Sequence, residues 1–179
     1  MRFVLTWIFK ALGWQVSGSL PPLKKYVIAI APHTSGWDFV VGLLARSVLK
    51  IERARYLGKS QLFRPPFGWF FRWLGGTPVD RTSPHEVVDQ VANIFNQHDE
   101  FVLALAPEGT RKKVERLRTG FYYIAKKANV AIVPVGFDFQ KKQIIIGTPL
   151  IPSDNFDSDI EVLLSFYKPI KGKIPEMGL

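Results

Sequence analysis

The strongest constraint in the chain is a recurrence of short, unbroken apolar runs separated by helix-length segments. Tyr26 to Ala31 (YVIAIA), Phe101 to Leu105 (FVLAL) and Ala131 to Phe137 (AIVPVGF) lack the polar alternation of a half-exposed strand. Such runs read as strands covered on both faces. Shorter strand candidates lie at Arg55 to Leu57, Thr77 to Val79 and Gln143 to Ile146. Trp37 to Leu49, the stretch opened by Ser83, and Gly120 to Ala128 read as helices. In the second of these Ser83 can cap, Pro84 suits the first turn and Glu86 completes a capping box. Strands alternating with helices of about 10–13 residues predict an α/β fold, a single domain with a central, mainly parallel or mixed sheet flanked by helices. Pro134 inside the third run points to a sheet edge or a bulge, because proline cannot donate to a ladder.

At 179 residues one domain is the natural size, and the absence of cysteine excludes disulfides, thiolate metal sites and a cysteine nucleophile. The formal charge of +9 stands beside 14 Phe, 5 Trp and 5 Tyr, a pairing that suits nucleic acid or an anionic membrane surface. The Lys and Arg residues are dispersed and form no recognised nucleic-acid module, so no nucleic-acid partner is expected. There is no Gly-x-Ser-x-Gly elbow, Walker loop or Gly-x-Gly-x-x-Gly, and His33, His85 and His98 lack metal-ligand spacing, so no metal is expected.

Residues 1–20 form an amphipathic segment in which Phe3, Val4, Trp7, Ile8, Ala11 and Leu12 recur at helical spacing. It is too short to span a bilayer, which takes about 20 apolar residues, and it carries no signal-peptide cleavage pattern. Two readings are open: a helix at a membrane interface with Trp7 and Trp14 at headgroup depth, or a helix on the protein's own core. The aromatic cluster from Phe63 to Trp73 is likewise open between a membrane-dipping loop, an apolar channel wall and core cover. Residues 21–167 make the α/β domain, and 168–179 a loosely held tail.

In open α/β sheets ligands gather where strands end and helices begin, and three such junctions carry polar residues. In the first, His33-Thr34-Ser35-Gly36-Trp37-Asp38, the Asp38 carboxylate can hold one imidazole nitrogen so that the other acts as a base. Ser35 with Asp38 also satisfies a helix capping box. The second, Gly75 to Arg81, sets Arg81 near the helix opened by Ser83, as an anion site or a surface arginine. The third, Pro107-Glu108-Gly109-Thr110-Arg111, offers a tight turn and donors suited to phosphate, with Glu108 organising the loop and Lys112 and Lys113 on a solvated basic face.

In this order the junctions resemble the glycerolipid acyltransferase family typified by 1-acylglycerol-3-phosphate (lysophosphatidic acid) acyltransferase, across about residues 26–137. His33, Ser35 and Asp38 match its His-x4-Asp block, Gly76 to Arg81 its second block, and Pro107 to Arg111 its Pro-Glu-Gly-Thr-Arg block in full. Leu117 to Gly120 and Ile132 to Val135 stand for the remaining two, while Pro32, Ala106 and Lys112 depart from common family residues. The resemblance implies acyl transfer from a thioester to a lysophospholipid hydroxyl in phospholipid biosynthesis, with His33 and Asp38 catalytic. It also implies substrate binding by Ser35, Arg81, Glu108, Gly109, Thr110 and Arg111. No cofactor is implied beyond acyl-coenzyme A or acyl carrier protein as co-substrate, and the implied place is the cytoplasmic face of a membrane, peripheral or monotopic. Rival readings are a non-phosphorylated acceptor, such as an acylated amino-acid lipid, and a catalytically idle lipid-binding relative.

Overall fold

A computed structural model of the chain describes residues 2–51, 53–79 and 83–178. The described residues build one seven-stranded sheet from β1 (Gln15–Ser17), β2 (Lys25–Ile30), β3 (Arg55–Lys59), β4 (Gly76–Val79), β5 (Phe101–Leu105), β6 (Ala131–Asp138) and β7 (Gln143–Ile146). Its order is β1-β7-β6-β2-β5-β3-β4, parallel throughout except for the antiparallel β6–β7 pair. The helices are α1 (Arg2–Ala11), α2 (Trp37–Val48), α3 (Gly68–Trp73), α4 (Pro84–Gln97), α5 (Gly120–Lys127) and α6 (Phe156–Tyr167). The α/β domain with a mixed, mainly parallel sheet and an amino-terminal helix is therefore the fold.

Side chains alternate across the central strands and so feed two cores. Val27 and Ala29 of β2 join α4, α5 and α6 residues such as Phe95, Phe121 and Leu163 on one face. Tyr26 and Ile28 join Phe9 of α1 and Val41 and Leu44 of α2 on the other. Leu103 and Ile132, both at 0% exposure, each stabilise the fold by about 1.5–3 kcal/mol through burial.

Pro134 lies on β6, between β7 and β2, so the edge expectation fails; β6 keeps regular register with β2 through Pro134, and the irregularity lies on its other side, past the end of β7. Ile132 pairs with Leu150 and Val135 with Ile146. Two residues on β6 thus face three on the partner, and the missing proline donor falls at that break. Trp14 also differs from its interfacial reading. It is buried against Phe9 and Phe139, while Phe3, Val4 and Trp7 on the same segment stay exposed. Residues 168–174 of the tail are held, because Ile170 is buried and the Ile174 amide donates to Thr34 Oγ1 at 3.1 Å.

The connections place the site. From β2 the chain passes through α2 to β3 on one side; from the neighbouring β5 it passes through α5 to β6 on the other. Two adjacent parallel strands whose crossovers depart in opposite directions open a crevice at their carboxyl ends. The first and third junctions are the loops that leave those two strands.

Candidate active site

His33 follows β2, and its Nδ1 lies 2.9 Å from Asp38 Oδ2 in the first turn of α2. A carboxylate only accepts, so Nδ1 carries the proton and Nε2 keeps a lone pair that can accept one. The same Oδ2 accepts the amides of Thr34 and Ser35, each at 2.9 Å, while Ser35 Oγ accepts the Trp37 amide at 3.3 Å. The capping-box reading holds by half: Asp38 Oδ2 takes the Ser35 amide, but Ser35 Oγ serves the Trp37 amide, and Gly36 stands at the N-cap of α2 with no side-chain cap bond. The carboxylate that takes the Ser35 amide also orients the imidazole, and the negative group suits the amino end of α2. Asp38 is buried, and its Oδ1 has no partner among the described residues.

The third junction packs against the first through Glu108. This carboxylate accepts the His33 backbone amide at 2.6 Å, is 1% exposed, and does not line the cleft beside His33. Of the two expectations for Glu108, the geometry fits the loop-organising one: its side chain turns inward and ties the two loops together. Burial pushes its carboxyl up to about 7, although the His33 amide bond favours the charged form. Next to it Gly109 takes φ +66°, a left-handed conformation, and a Cβ there would come 2.5 Å from Arg118 Cδ. Only glycine lets Arg118 lie across the turn.

A cleft of about 710 Å³ opens at this crevice. It is lined by His33 and Asp38 from the first junction and by Gly109, Thr110, Arg111 and Arg118 from the third and the residues that follow it. Arg111 reaches toward the start of α2, where a Cβ on Gly36 would sit 3.8 Å from its Nη1. Ser35 does not line the cleft; its Oγ is taken up by the Trp37 amide at the start of α2. Arg81 lies outside the described residues. Among the described residues no cluster of three potential metal ligands occurs.

Arg118, which the sequence offers only as one member of the basic run after the third junction, belongs to the cleft. Also missed was the apolar extension of the cleft along Gly42, Leu43 and Ala45 of α2 and Leu49 at its carboxyl cap, backed by Ile28, Val135 and Phe137. Its signal was available: positions 38, 42, 45 and 49 share a helix face, so the face that presents Asp38 also lines the cleft. None of the aromatic residues from 63 to 73 lines it. Phe63 is core, whereas Phe67, Trp69 and Trp73 face outward.

Comparison with known proteins bears on this arrangement. The chain is 29% identical over 136 residues to the 1-acyl-sn-glycerol-3-phosphate acyltransferase of Streptococcus pneumoniae, covering 70% of this chain and 50% of that protein. It is 32% identical over 99 residues to the mouse 1-acyl-sn-glycerol-3-phosphate acyltransferase epsilon, covering 52% and 27%. The chain thus spans half, or less, of the length of these curated relatives. The crystal structure of the 1-acyl-sn-glycerophosphate (LPA) acyltransferase from Thermotoga maritima shares the fold at a TM-score of 0.66 and 19% identity, covering 94% of this chain and 75% of that one. The acyltransferase family model matches residues 14–138, which take in both loops of the cleft, and this chain belongs to the acyltransferase family.

Proposed function

We propose that the protein moves a fatty acyl group from an acyl thioester to the hydroxyl of a lysophospholipid such as 1-acylglycerol-3-phosphate, as a step of phospholipid biosynthesis. One observation carries this reading: the 2.9 Å His33–Asp38 pair shares a single cleft with Arg111 and Arg118 and with an apolar extension. A base, an anion-binding wall and an apolar trough are what an acylated, phosphorylated alcohol and its acyl donor require.

His33 Nε2 takes the acceptor's hydroxyl proton as that oxygen attacks the thioester carbonyl. The tetrahedral intermediate collapses, the carbon–sulfur bond breaks, and the thiolate takes the proton back from the imidazolium. An ester and a free thiol result, with no covalent enzyme intermediate. Asp38 stabilises the transient imidazolium. Arg111, Arg118, Thr110 and the backbone around Gly109 hold the phosphate and so fix the hydroxyl beside His33. Arg81 joins this pocket by family resemblance. The thioester is acyl-coenzyme A or acyl carrier protein, both of which carry anionic groups that suit a +9 surface.

The reaction is placed at the cytoplasmic face of a membrane, with the protein peripheral or monotopic. Phe3, Trp7, Trp37, Trp69 and Trp73 are each more than half exposed, on elements around the α2 side of the sheet. Large exposed aromatics with nearby Lys10, Arg64 and Arg72 suit an anionic interface. No helix among the described residues is long and apolar enough to cross a membrane.

The test is acyl transfer by the purified protein, with labelled acyl-coenzyme A and acyl carrier protein offered separately to lysophosphatidic acid. Phosphatidic acid is the expected product, and His33→Ala is expected to lower the rate by about 10²–10⁴ with an unchanged melting temperature. Labelled product from a crude lipid extract alone would reassign the acceptor. A His33→Ala protein as active as the wild type would remove the base.

A further inference from the structure

We propose that Thr34 is a positioning residue for the His33–Asp38 pair, and that the segment following α6 holds it from behind. The inference rests on the reading of His33 as the base. Thr34 is 3% exposed and bonded on two sides. Its amide donates to Asp38 Oδ2 at 2.9 Å, and its Oγ1 accepts the amide of Ile174, 140 residues away, at 3.1 Å.

The segment that delivers Ile174 is anchored at each step. The Tyr167 hydroxyl donates to the Ala29 carbonyl at 2.7 Å, at the end of β2. Ile170 is buried on Gly136, where a Cβ would come 2.2 Å from its Cδ1. The Phe139 amide donates to the Lys171 carbonyl at 2.9 Å, and the Lys173 ammonium lies over the Phe139 ring. Gly172 then passes directly behind the catalytic loop. A Cβ there would stand 2.7 Å from Thr34 Oγ1, 2.9 Å from Thr34 Cγ2 and 3.2 Å from Pro32 Cγ. Real Cβ atoms do not approach that closely, so a larger residue at 172 would displace the loop or be displaced by it.

The consequence for chemistry runs through one oxygen. Asp38 Oδ2 is shared by the Thr34 amide, the Ser35 amide and His33 Nδ1. A shift of Thr34 turns the peptide between His33 and Thr34 and moves a donor that fixes the acceptor on which the imidazole depends. The tail thus reaches the base through Thr34 and Asp38, touching neither the ring nor the cleft.

Thr34→Val keeps the shape and removes the acceptor, Thr34→Ser keeps the acceptor, and Gly172→Ala presses on the same contact from the other side. Each full-length variant is assayed for kcat and KM, for thermal midpoint, and for the ring Nδ1–H signal of His33. With three histidines in the chain, His33→Ala assigns that signal. Thr34→Val is expected to lower kcat about 10–100-fold at nearly unchanged KM, as an Å-scale misplacement does. The His33 Nδ1–H resonance should weaken or vanish with it. Thr34→Ser should retain both, and Gly172→Ala should repeat the Thr34→Val pattern. A native ring signal in folded Thr34→Val overturns the proposal whatever the assay reads. If Thr34→Val does not fold, Gly172→Ala decides on the same criterion. The ring signal needs no substrate, so a wild-type protein without transfer activity would defeat the functional reading and leave this one to be judged separately.

Discussion

The loops that leave β2 and β5 lie side by side and are built in opposite ways. Residues 31–38 form a closed network: one buried carboxylate oxygen holds two amides and the imidazole, a second carboxylate holds the His33 amide, and Thr34 is pinned from behind. Residues 106–118 present mostly exposed side chains, and their order comes from the backbone, through the left-handed Gly109 and the Arg118 amide donating to the Pro107 carbonyl at 2.8 Å. A base must be held within tenths of an ångström of a reactive geometry, whereas an anion is gripped by long side chains that adapt to it. In the proposed reaction, rigidity is concentrated where a proton would move, and charge where a substrate would be captured.

The largest effect should come from breaking the closed loop at its shared oxygen. Asp38→Ala removes the partner of His33 Nδ1 and leaves the Thr34 and Ser35 amides without their acceptor. We expect kcat to fall by about 10²–10⁴ and stability to fall by about 1–3 kcal/mol, the cost of buried unpaired donors. Asp38→Asn separates the two roles. Its amide oxygen still accepts the backbone donors, so stability should largely return. Its amide nitrogen is a donor and cannot serve a protonated Nδ1, so the imidazole takes the wrong tautomer and activity should stay low. Denaturant titration and initial rates on the two variants check this, and an active, stable Asp38→Ala would dissolve the contrast between the loops.

Glu108 joins the two regions, and its test is a pH slope. Its folded-state value of about 7 lies above the ordinary 4.5, with burial as the main cause. The folded protein therefore holds this proton more tightly than the unfolded chain. That stabilisation is fully present below about pH 4.5 and is lost as pH rises through about 7. Glu108→Gln cannot titrate, so the stability difference between variant and wild type should change by ~3 kcal/mol in the variant's favour from pH 4.5 to 8. The added amide donor shifts both ends equally, so the slope decides. Parallel curves from chemical denaturation across that range would show that Glu108 is charged at little cost.

Much of this architecture was legible because it is written in side chains. Val27, Leu103 and Ile132 announce covered strands, and His33 with Asp38 announces its own hydrogen bond, since a loop closing on the helix start brings positions four apart together. The three-residue β1 is too short to carry a pattern. By contrast α6 does carry one, with Asn155 as its cap and Phe156, Ile160, Leu163 and Tyr167 along one face, yet no helix was expected there. The grip on Thr34 was illegible for a physical reason. It runs through the Ile174 amide and the missing side chain of Gly172, and neither leaves a trace in hydrophobic periodicity. Glu108 was legible as a loop organiser, since a carboxylate does not suit a phosphate guest, but its partner, the His33 amide, was not, because that bond joins loops 75 residues apart.

The smallest effect sharpens the comparison from the open side. Arg111 lines the cleft, whereas the neighbouring Lys112 and Lys113 are exposed and do not. If the basic loop worked through its summed field, the three would be nearly interchangeable and salt would weaken each contribution alike. If it works by contact, only Arg111 matters. Arg111→Ala should remove hydrogen bonds to a charged group worth about 1.5–3 kcal/mol, and so raise KM for a phosphorylated acceptor about 10–150-fold with a smaller change in kcat. Lys112→Ala and Lys113→Ala should stay within about 2-fold of the wild type, as substitutions on a solvated surface do. Saturation curves for the three variants at two salt concentrations discriminate between the accounts. Equal losses at all three positions would make this loop a diffuse attractor rather than a binding wall, and would leave the phosphate to be held by residues elsewhere in the cleft.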